Sequence, residues 1–376
     1  MKSVSCVLAI AGLACAASAA PTLTNMSTFG NNGWRAPNVI QGGDTAGSNN
    51  GTNYNYLGTG NLERGMAYNP VTGNLILVSR SAAGNGIRVI NGTTGNDMGA
   101  LNQGSGIITG GTFTTNKVGV SADGQIFVAN LQANTNTGAL KVYRWANEAA
   151  TIDATPWFNS TIAVAGTPRM GDSMDTTGSG SNVKHVFGHA GVVGYSIVTG
   201  SGATAVSSFT APAPGVGRFR LGVTFAQNDS NVWGKETSQS LHQTTYSGSA
   251  GTGITNSTAL TSAGEAPMDY VTIGGIGYLA AMDVNNSRVY IYNMSNPLAP
   301  VSLFAFGVTA TTGTLAANGN ATGDVRWGAV DNGNLSATLY AMSSNQGIQA
   351  FTFAVPTPGT LGLAMAGGLL AARRRR

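Results

Sequence analysis

Residues 117–130 read Lys117-Val118-Gly119-Val120-Ser121-Ala122-Asp123-Gly124-Gln125-Ile126-Phe127-Val128-Ala129-Asn130: an apolar run, a tight turn and a second apolar run. Asp-Gly is a strong turn former, because glycine accepts positive φ and aspartate bonds its own backbone. The same grammar opens further segments. Arg64-Gly65-Met66-Ala67-Tyr68 precedes the turn Asn69-Pro70-Val71-Thr72-Gly73-Asn74 and the run Leu75-Ile76-Leu77-Val78. Arg169-Met170-Gly171-Asp172, Arg220-Leu221-Gly222-Val223 and Arg326-Trp327-Gly328-Ala329 continue the series. Pro267-Met268-Asp269-Tyr270-Val271 holds the fifth place without a basic residue. Gly119 and Gly171 lie 52 positions apart, and Gly171 and Gly222 51 apart. The last interval is longer, and its Gly/Thr/Ala-rich stretch 307–323 reads as an insertion.

Working outward from these openings, third β-rich runs follow at Ile87–Ile90, Leu140–Trp145, Val192–Ile197, Val289–Tyr292 and Ile348–Phe353. Fainter fourth runs lie at Val206–Phe209 and Val301–Phe306. Three or four short strands every fifty or so residues, with no helix-period segment, predict an all-β fold. Its architecture is a β-propeller of four-stranded blades. Six openings argue for six blades; a seventh would have to come from 31–61, which is poor in apolar runs. A β-sandwich array and a β-helix are the rival architectures, and β-helix rungs are much shorter than this repeat. The stretch Leu23–Phe29 is expected to supply the outer strand of the last blade and so close the ring.

Composition narrows the function. Charged residues make up 9% of the chain, against about a quarter in ordinary globular proteins, and glycine accounts for 54 of 376 residues, about twice its usual share. A surface made polar by amides and hydroxyls suits an extracellular all-β protein and disfavours long exposed helices, which want Glu, Lys and Arg. The formal charge of +4 belongs to the ends. Setting aside Lys2 and Arg373–Arg376 leaves 14 basic residues against 15 acidic ones, which removes the electrostatic support for a nucleic-acid partner. Both cysteines, Cys6 and Cys15, fall in the N-terminal segment, so the body has neither a disulfide framework nor a thiolate metal site.

The ends read as export signals. Lys2, the apolar stretch Val4–Ala17 and the small-x-small pattern Ala17-Ser18-Ala19 have the build of a secretory signal cut near Ala19. At the other end, Val355-Pro356-Thr357-Pro358 leads into the 14-residue apolar run Gly359–Ala372 and the cluster Arg373-Arg374-Arg375-Arg376. This tail resembles the PEP-CTERM sorting signal, with Thr357 where that family usually has Glu. The resemblance covers about the last twenty residues and implies an exosortase as processing partner, after signal peptidase. It also implies a Gram-negative-type host that makes extracellular polysaccharide. The apolar run is shorter than the roughly 20 residues of a stable membrane helix, and the arginines favour a cytoplasmic end. A transient inner-membrane segment is therefore expected, with the body on the outer surface or in the extracellular matrix. The domain reading is a signal peptide at 1–19, a propeller body at 20–354 and a sorting tail at 355–376.

Within the body, Asn69–Ser79 and Ser121–Asn130 resemble blades of the NHL and SMP-30-like propellers, about ten residues at a time. No metal ligands carry over, because no matching set of acidic and amide residues can be placed.

The sharpest candidate site is the set of basic residues at the openings: Arg64, Lys117, Arg169, Arg220 and Arg326. If the openings begin the innermost strands, five cations converge near one channel mouth and focus a field on an acidic sugar or small carboxylate. The competing reading pairs each with a nearby Glu63, Asp172, Asp269 or Asp324. Arg64 precedes its glycine by one residue and the others by two, which under period-two alternation turns it to the other face. His185 and His189 stand four residues apart, a spacing that could bind zinc on a helix but not across a strand or turn, and with His242 they read as structural. No catalytic set can be assembled: neither a G-x-S-x-G elbow with partners nor a defined carboxylate pair is present. The Asp283–Asn286 turn is the best oxygen-rich candidate for calcium but has no EF-hand pattern, so no cofactor is expected. Trp34, Trp145, Trp157, Trp233 and Trp327 suit sugar stacking but read mainly as packing residues. These observations favour a non-enzymatic module that binds or displays extracellular polysaccharide or an envelope protein. The alternative is an extracellular hydrolase or lyase acting on a sugar or lactone at the channel mouth.

Overall fold

The computed structural model describes residues 20–45, 56–80, 86–226, 229–255, 260–307 and 315–356. The signal-peptide reading of 1–19 and the tail residues Thr357, Pro358 and Arg373, Arg374, Arg375 and Arg376 lie outside the described residues.

Strands β1 (Thr22–Asn25) and β2 (Trp34–Arg35) lead into six sheets arranged as blades. Blade one holds β3 (Glu63–Tyr68), β4 (Leu75–Ser79), β5 (Ile87–Ile90) and β6 (Asp97–Ala100). Blade two holds β7 (Phe113–Val120), β8 (Ile126–Leu131), β9 (Leu140–Trp145) and β10 (Thr155–Ser160). Blade three holds β11 (Asp175–Thr177), β12 (Lys184–Gly188), β13 (Tyr195–Thr199) and β14 (Gly202–Val206). In blade four, β15 (Ser208–Thr210) lies parallel to the outer strand of β16 (Gly222–Phe225), β17 (Asn231–Lys235), β18 (His242–Ser247) and β19 (Ala250–Thr255). Blade five holds β20 (Glu265–Ile273), β21 (Ile276–Asp283), β22 (Arg288–Asn293) and β23 (Val301–Gly307). Blade six is β24 (Gly323–Asp331), β25 (Ser336–Ser343) and β26 (Ile348–Ala354), completed by β1.

The protein is therefore a six-bladed propeller. The pairing of Thr22 with Ala354 and Asn25 with Phe351 closes the ring as expected of the leading stretch. The fourth run Val206–Phe209 is divided: Val206 ends β14 of blade three, whereas Ser208 and Phe209 begin β15 of blade four. The run Val192–Ile197 is also displaced, since β13 begins only at Tyr195, after the positive-φ Gly194.

Strand β4 shows why its sequence runs apolar without alternation. Leu75 and Leu77 pack toward blade six, while Ile76 and Val78 pack toward blade two. Both faces of a blade are covered, so every position gains the roughly 1.5–3 kcal/mol of burying an aliphatic side chain. The core is accordingly divided into six apolar seams, one between each pair of neighbouring blades.

The innermost strands β3, β7, β11, β16, β20 and β24 each touch the next and surround a central channel. The glycines of the openings permit that approach. A Cβ on Gly222 would overlap the Ala266 carbonyl of blade five, and one on Gly119 would overlap the Thr176 hydroxyl of blade three.

Candidate functional site

All six inner strands run the same way along the channel, so their starts gather at one end and their finishes at the other. At the starting end, Arg64, Arg80, Lys117, Arg169 and Arg220 line a cavity of about 120 Å³ together with Asn116, Asp172, Asn320 and Thr322. Four of the five sequence-derived basic residues thus share one mouth.

Arg64 joins them despite its offset because β3 carries a bulge there: Glu63 pairs with Ser79, but Gly65 pairs with Val78. A bulge adds one residue to a strand and redirects its side chain. Arg64 is 6% exposed, and its guanidinium donates to the carbonyls of Glu63 at 3.0 Å and Asn61 at 2.7 Å. Burial lowers its pKa, opposed by the charges of Glu63 and Asp172. Lys117 is buried, which lowers its pKa, and donates to the Gly323 carbonyl at 3.1 Å with Asp324 at 3.6 Å.

Asp172 serves two arginines. Arg169 grips it with Nε at 2.8 Å and Nη2 at 2.7 Å, and the Nε of Arg220 stands 3.3 Å from the same carboxylate. Pairing with Asp172 therefore holds for these two, while Arg64 has no carboxylate within ion-pair distance among the described residues.

Arg326 departs from the expected ring. It lies three residues beyond Gly323, the residue level with Lys117, and so roughly 10 Å deeper along the strand. From blade six it crosses the channel to the opposite blade three. There Nη1 donates to Asp175 at 2.9 Å and Nη2 to the Met174 carbonyl at 3.0 Å. Its Nε donates to the Met66 carbonyl at 2.9 Å and lies 3.2 Å from Asp324, with Asp269 3.9 Å from Nη1. Burial alone would lower its pKa, but Asp324, Asp175 and Asp269 together push it up. Arg326 is a crossbar at the waist of the channel rather than part of the mouth. The sequence could not show this because the longer last interval shifted the glycine alignment from Gly323 to Gly328.

Arg80 was not anticipated. It follows β4, and β4 returns antiparallel to the start of β3, so hairpin geometry brings it beside Arg64. Its Nη2 donates to Asn116 Oδ1 in a short hydrogen bond, and its guanidinium lies over the Phe113 ring. Burial lowers its pKa to about 9, helped by repulsion from Arg64 and Arg169 and opposed by Asp172.

At the finishing end, a cup of about 560 Å³ is walled by Tyr68, Val120, Tyr270, Val271, Trp327 and Val330, with Thr176 and Asp269 toward its floor. It leads to a narrower space of about 130 Å³ beside Asp175 and Arg326.

The remaining candidates are held within the fold. His185 bonds Thr176 at 2.8 Å, His189 bonds Ser196 at 2.9 Å and His242 bonds the Ser240 carbonyl at 2.8 Å. Burial lowers the pKa of all three, to about 3 for His185 and about 4 for His189. In the Asp283–Asn286 turn the carboxylate accepts the backbone N–H groups of Asn285 and Asn286, the Asn286 amide and the Ser262 hydroxyl. Those contacts tie the carboxylate into its own turn. Among the described residues no group of three or more His, Cys, Asp or Glu could hold a metal. Trp34, Trp145, Trp233 and Trp327 are buried, whereas Trp157 is half-buried against Phe127 and His185.

No protein-family model matches the sequence, and no curated protein matches it. Among solved structures, the chain resembles a DUF4623 family protein from Bacteroides eggerthii, with 15% identity over 80% of this chain and 72% of that one, at a TM-score of 0.61. It also resembles a protein of unknown function from Bacteroides thetaiotaomicron, with 12% identity over 89% of this chain and 76% of that one, at a TM-score of 0.52. The calcium-binding protein regucalcin of Agrobacterium tumefaciens matches with 13% identity over 79% of this chain and 91% of that one, at a TM-score of 0.45. At these identities the likeness to the two Bacteroides proteins shows the fold alone.

Proposed function

We propose that the chain is an exported, surface-sorted binding or display module whose cationic mouth holds an anionic group of an extracellular polymer, an acidic sugar above all. One observation carries this reading: Arg64 and Arg80 share a cavity in which neither meets a carboxylate at ion-pair distance among the described residues. Two partly desolvated guanidiniums left with neutral partners are stabilised by an incoming anion, and guanidinium matches a carboxylate bidentately. The hydrolase or lyase alternative needs at least two acid–base groups converging on one substrate. The lining of this mouth contributes a single carboxylate, Asp172, and both Arg169 and Arg220 already engage it.

Titration calorimetry with oligogalacturonate tests the binding reading against a neutral oligosaccharide of equal length. Binding that weakens with salt and falls on Arg80→Ala supports it; equal affinity for the neutral oligomer overturns it. Export rests on the end motifs. In an exosortase-bearing host, mass spectrometry is expected to find a mature chain that starts near Ala20 and lacks Arg373–Arg376. A surface fraction that retains the tail sinks the sorting proposal.

A further inference from the structure

The aromatic end of the channel suits a ligand of opposite charge. Half-buried Tyr68 and Tyr270, the buried indole of Trp327 and the side chains of Val120, Val271 and Val330 enclose the cup. Rings arranged around a carboxylate attract organic cations, because the ring quadrupole and the charge act together.

Asp269 supplies the carboxylate. Three carboxylates, Asp175, Asp269 and Asp324, share the single guanidinium of Arg326, and they share it unequally. Asp175 is 2.9 Å and Asp324 3.2 Å from it, while Asp269 is 3.9 Å away. Lys117 adds a second cation, but on the Asp324 side. Asp269 Oδ2 accepts the Trp327 N–H at 2.7 Å, and Oδ1 accepts the Tyr270 N–H at 3.1 Å. The under-neutralised member of the cluster is therefore the one that lines the cup, and its side chain remains 15% exposed.

We propose that this cup binds an organic cation, a quaternary or protonated amine on an apolar body, with its charge against Asp269 and its body against Tyr68, Tyr270 and Trp327. The site is separate from the cationic mouth and does not depend on the reading given to that mouth. The groups facing Asp269 set the pH behaviour. Burial and the neighbouring charges of Asp175 and Asp324 raise its pKa, while Arg326 and the Trp327 N–H oppose the rise. Only the ionised carboxylate attracts a cation, so affinity falls as pH drops through that raised pKa, and binding at intermediate pH releases a proton.

The test is titration calorimetry of the full chain with benzyltrimethylammonium chloride, using benzyl alcohol as the neutral probe at matched ionic strength. The cation is expected to bind about tenfold or more tightly than the alcohol, the range of a desolvated cation–π and charge contact. Asp269→Asn should remove most of that preference, and Tyr68→Leu should weaken the cation several-fold; Arg80→Ala should leave it unchanged. If Asp269→Asn fails to fold, the wild-type comparison at pH 5 and pH 8 decides. Weaker cation binding at pH 5, with proton release, supports the proposal. Equal binding of both probes, pH-independent affinity, or no binding heat with millimolar cation overturns it.

Discussion

The two ends of the channel are formed by the same six strands, yet one gathers five cations and the other aromatic rings around a carboxylate. Between Arg64 and Tyr68 the chain advances only four residues, roughly 13 Å of strand. The separation between such different surroundings depends on what stands between them. Arg326 crosses from blade six to blade three, and its carboxylate partners come from blades three, five and six. Those carboxylates also tie blades together, because each accepts a backbone N–H from the next inner strand. Asp324 takes Met66, Asp175 takes Phe225 and Asp269 takes Trp327. The waist thus stitches the ring and divides its channel with the same side chains.

The largest expected effect comes from removing that division. Arg326→Met leaves three buried carboxylates without their guanidinium, and breaking a buried pair costs about 3–5 kcal/mol. Urea unfolding should show the loss as a lowered midpoint. An unchanged midpoint would mean that the two ends are not held apart by this ion network.

A second test compares the buried acids of β20. Glu265 lies toward the cationic end and Asp269 toward the aromatic end. Burial raises the Glu265 pKa to about 7, against hydrogen bonds from the Ser262 N–H and Tyr292 hydroxyl and the nearby Lys235 charge. A carboxyl whose folded pKa lies above its unfolded value makes its full contribution below the unfolded pKa. That contribution is lost as pH rises from about 4.5 to about 7, by up to about 3 kcal/mol. The wild type should lose stability relative to Glu265→Gln across that window, measured as the difference in urea midpoints. Parallel pH profiles would remove Glu265 from the account.

Strand spacing offers a somewhat smaller effect. Gly222→Ala forces a methyl into the Ala266 carbonyl and should cost about 1–3 kcal/mol, the usual range for overpacking. Thermal unfolding reads it directly, and a neutral result would show that the inner strands have slack.

The smallest effect sharpens the comparison most. Arg80→Ala should weaken anion binding about tenfold, near 1.4 kcal/mol, and leave benzyltrimethylammonium binding untouched. Parallel losses at both ends would join the two mouths into one site.

Much of this architecture was legible in the chain. The repeated openings, the Asp-Gly and Asn-Pro turns and the unalternating run Leu75–Val78 report local backbone geometry and two-sided burial. Strand registers were less accessible, because they depend on partners distant in sequence. The bulge at Arg64 reverses what simple alternation implies, and the depth of Arg326 emerges only when β24 is paired with β25. The placement of Arg80 follows from hairpin geometry, in which the end of a second strand returns to the start of the first. Of the carboxylates around Arg326, Asp269 and Asp324 stood close to the openings in sequence, whereas Asp175 comes from the opposite blade and had no local signal.

The closure of blade six also sets how the molecule bears load. Strand β26 is flanked by β25 on one side and by β1 on the other, with seven and four paired positions respectively. A pull on the chain beyond Ala354, resisted by the other blades, drags β26 lengthwise and loads its rungs together in shear. A pull between the two ends of the chain acts differently. Thr22 and Ala354 face each other at the same end of their ladder, so β1 peels away one rung at a time. The same seam is therefore strong against a load carried through the body and weak against one applied between the termini.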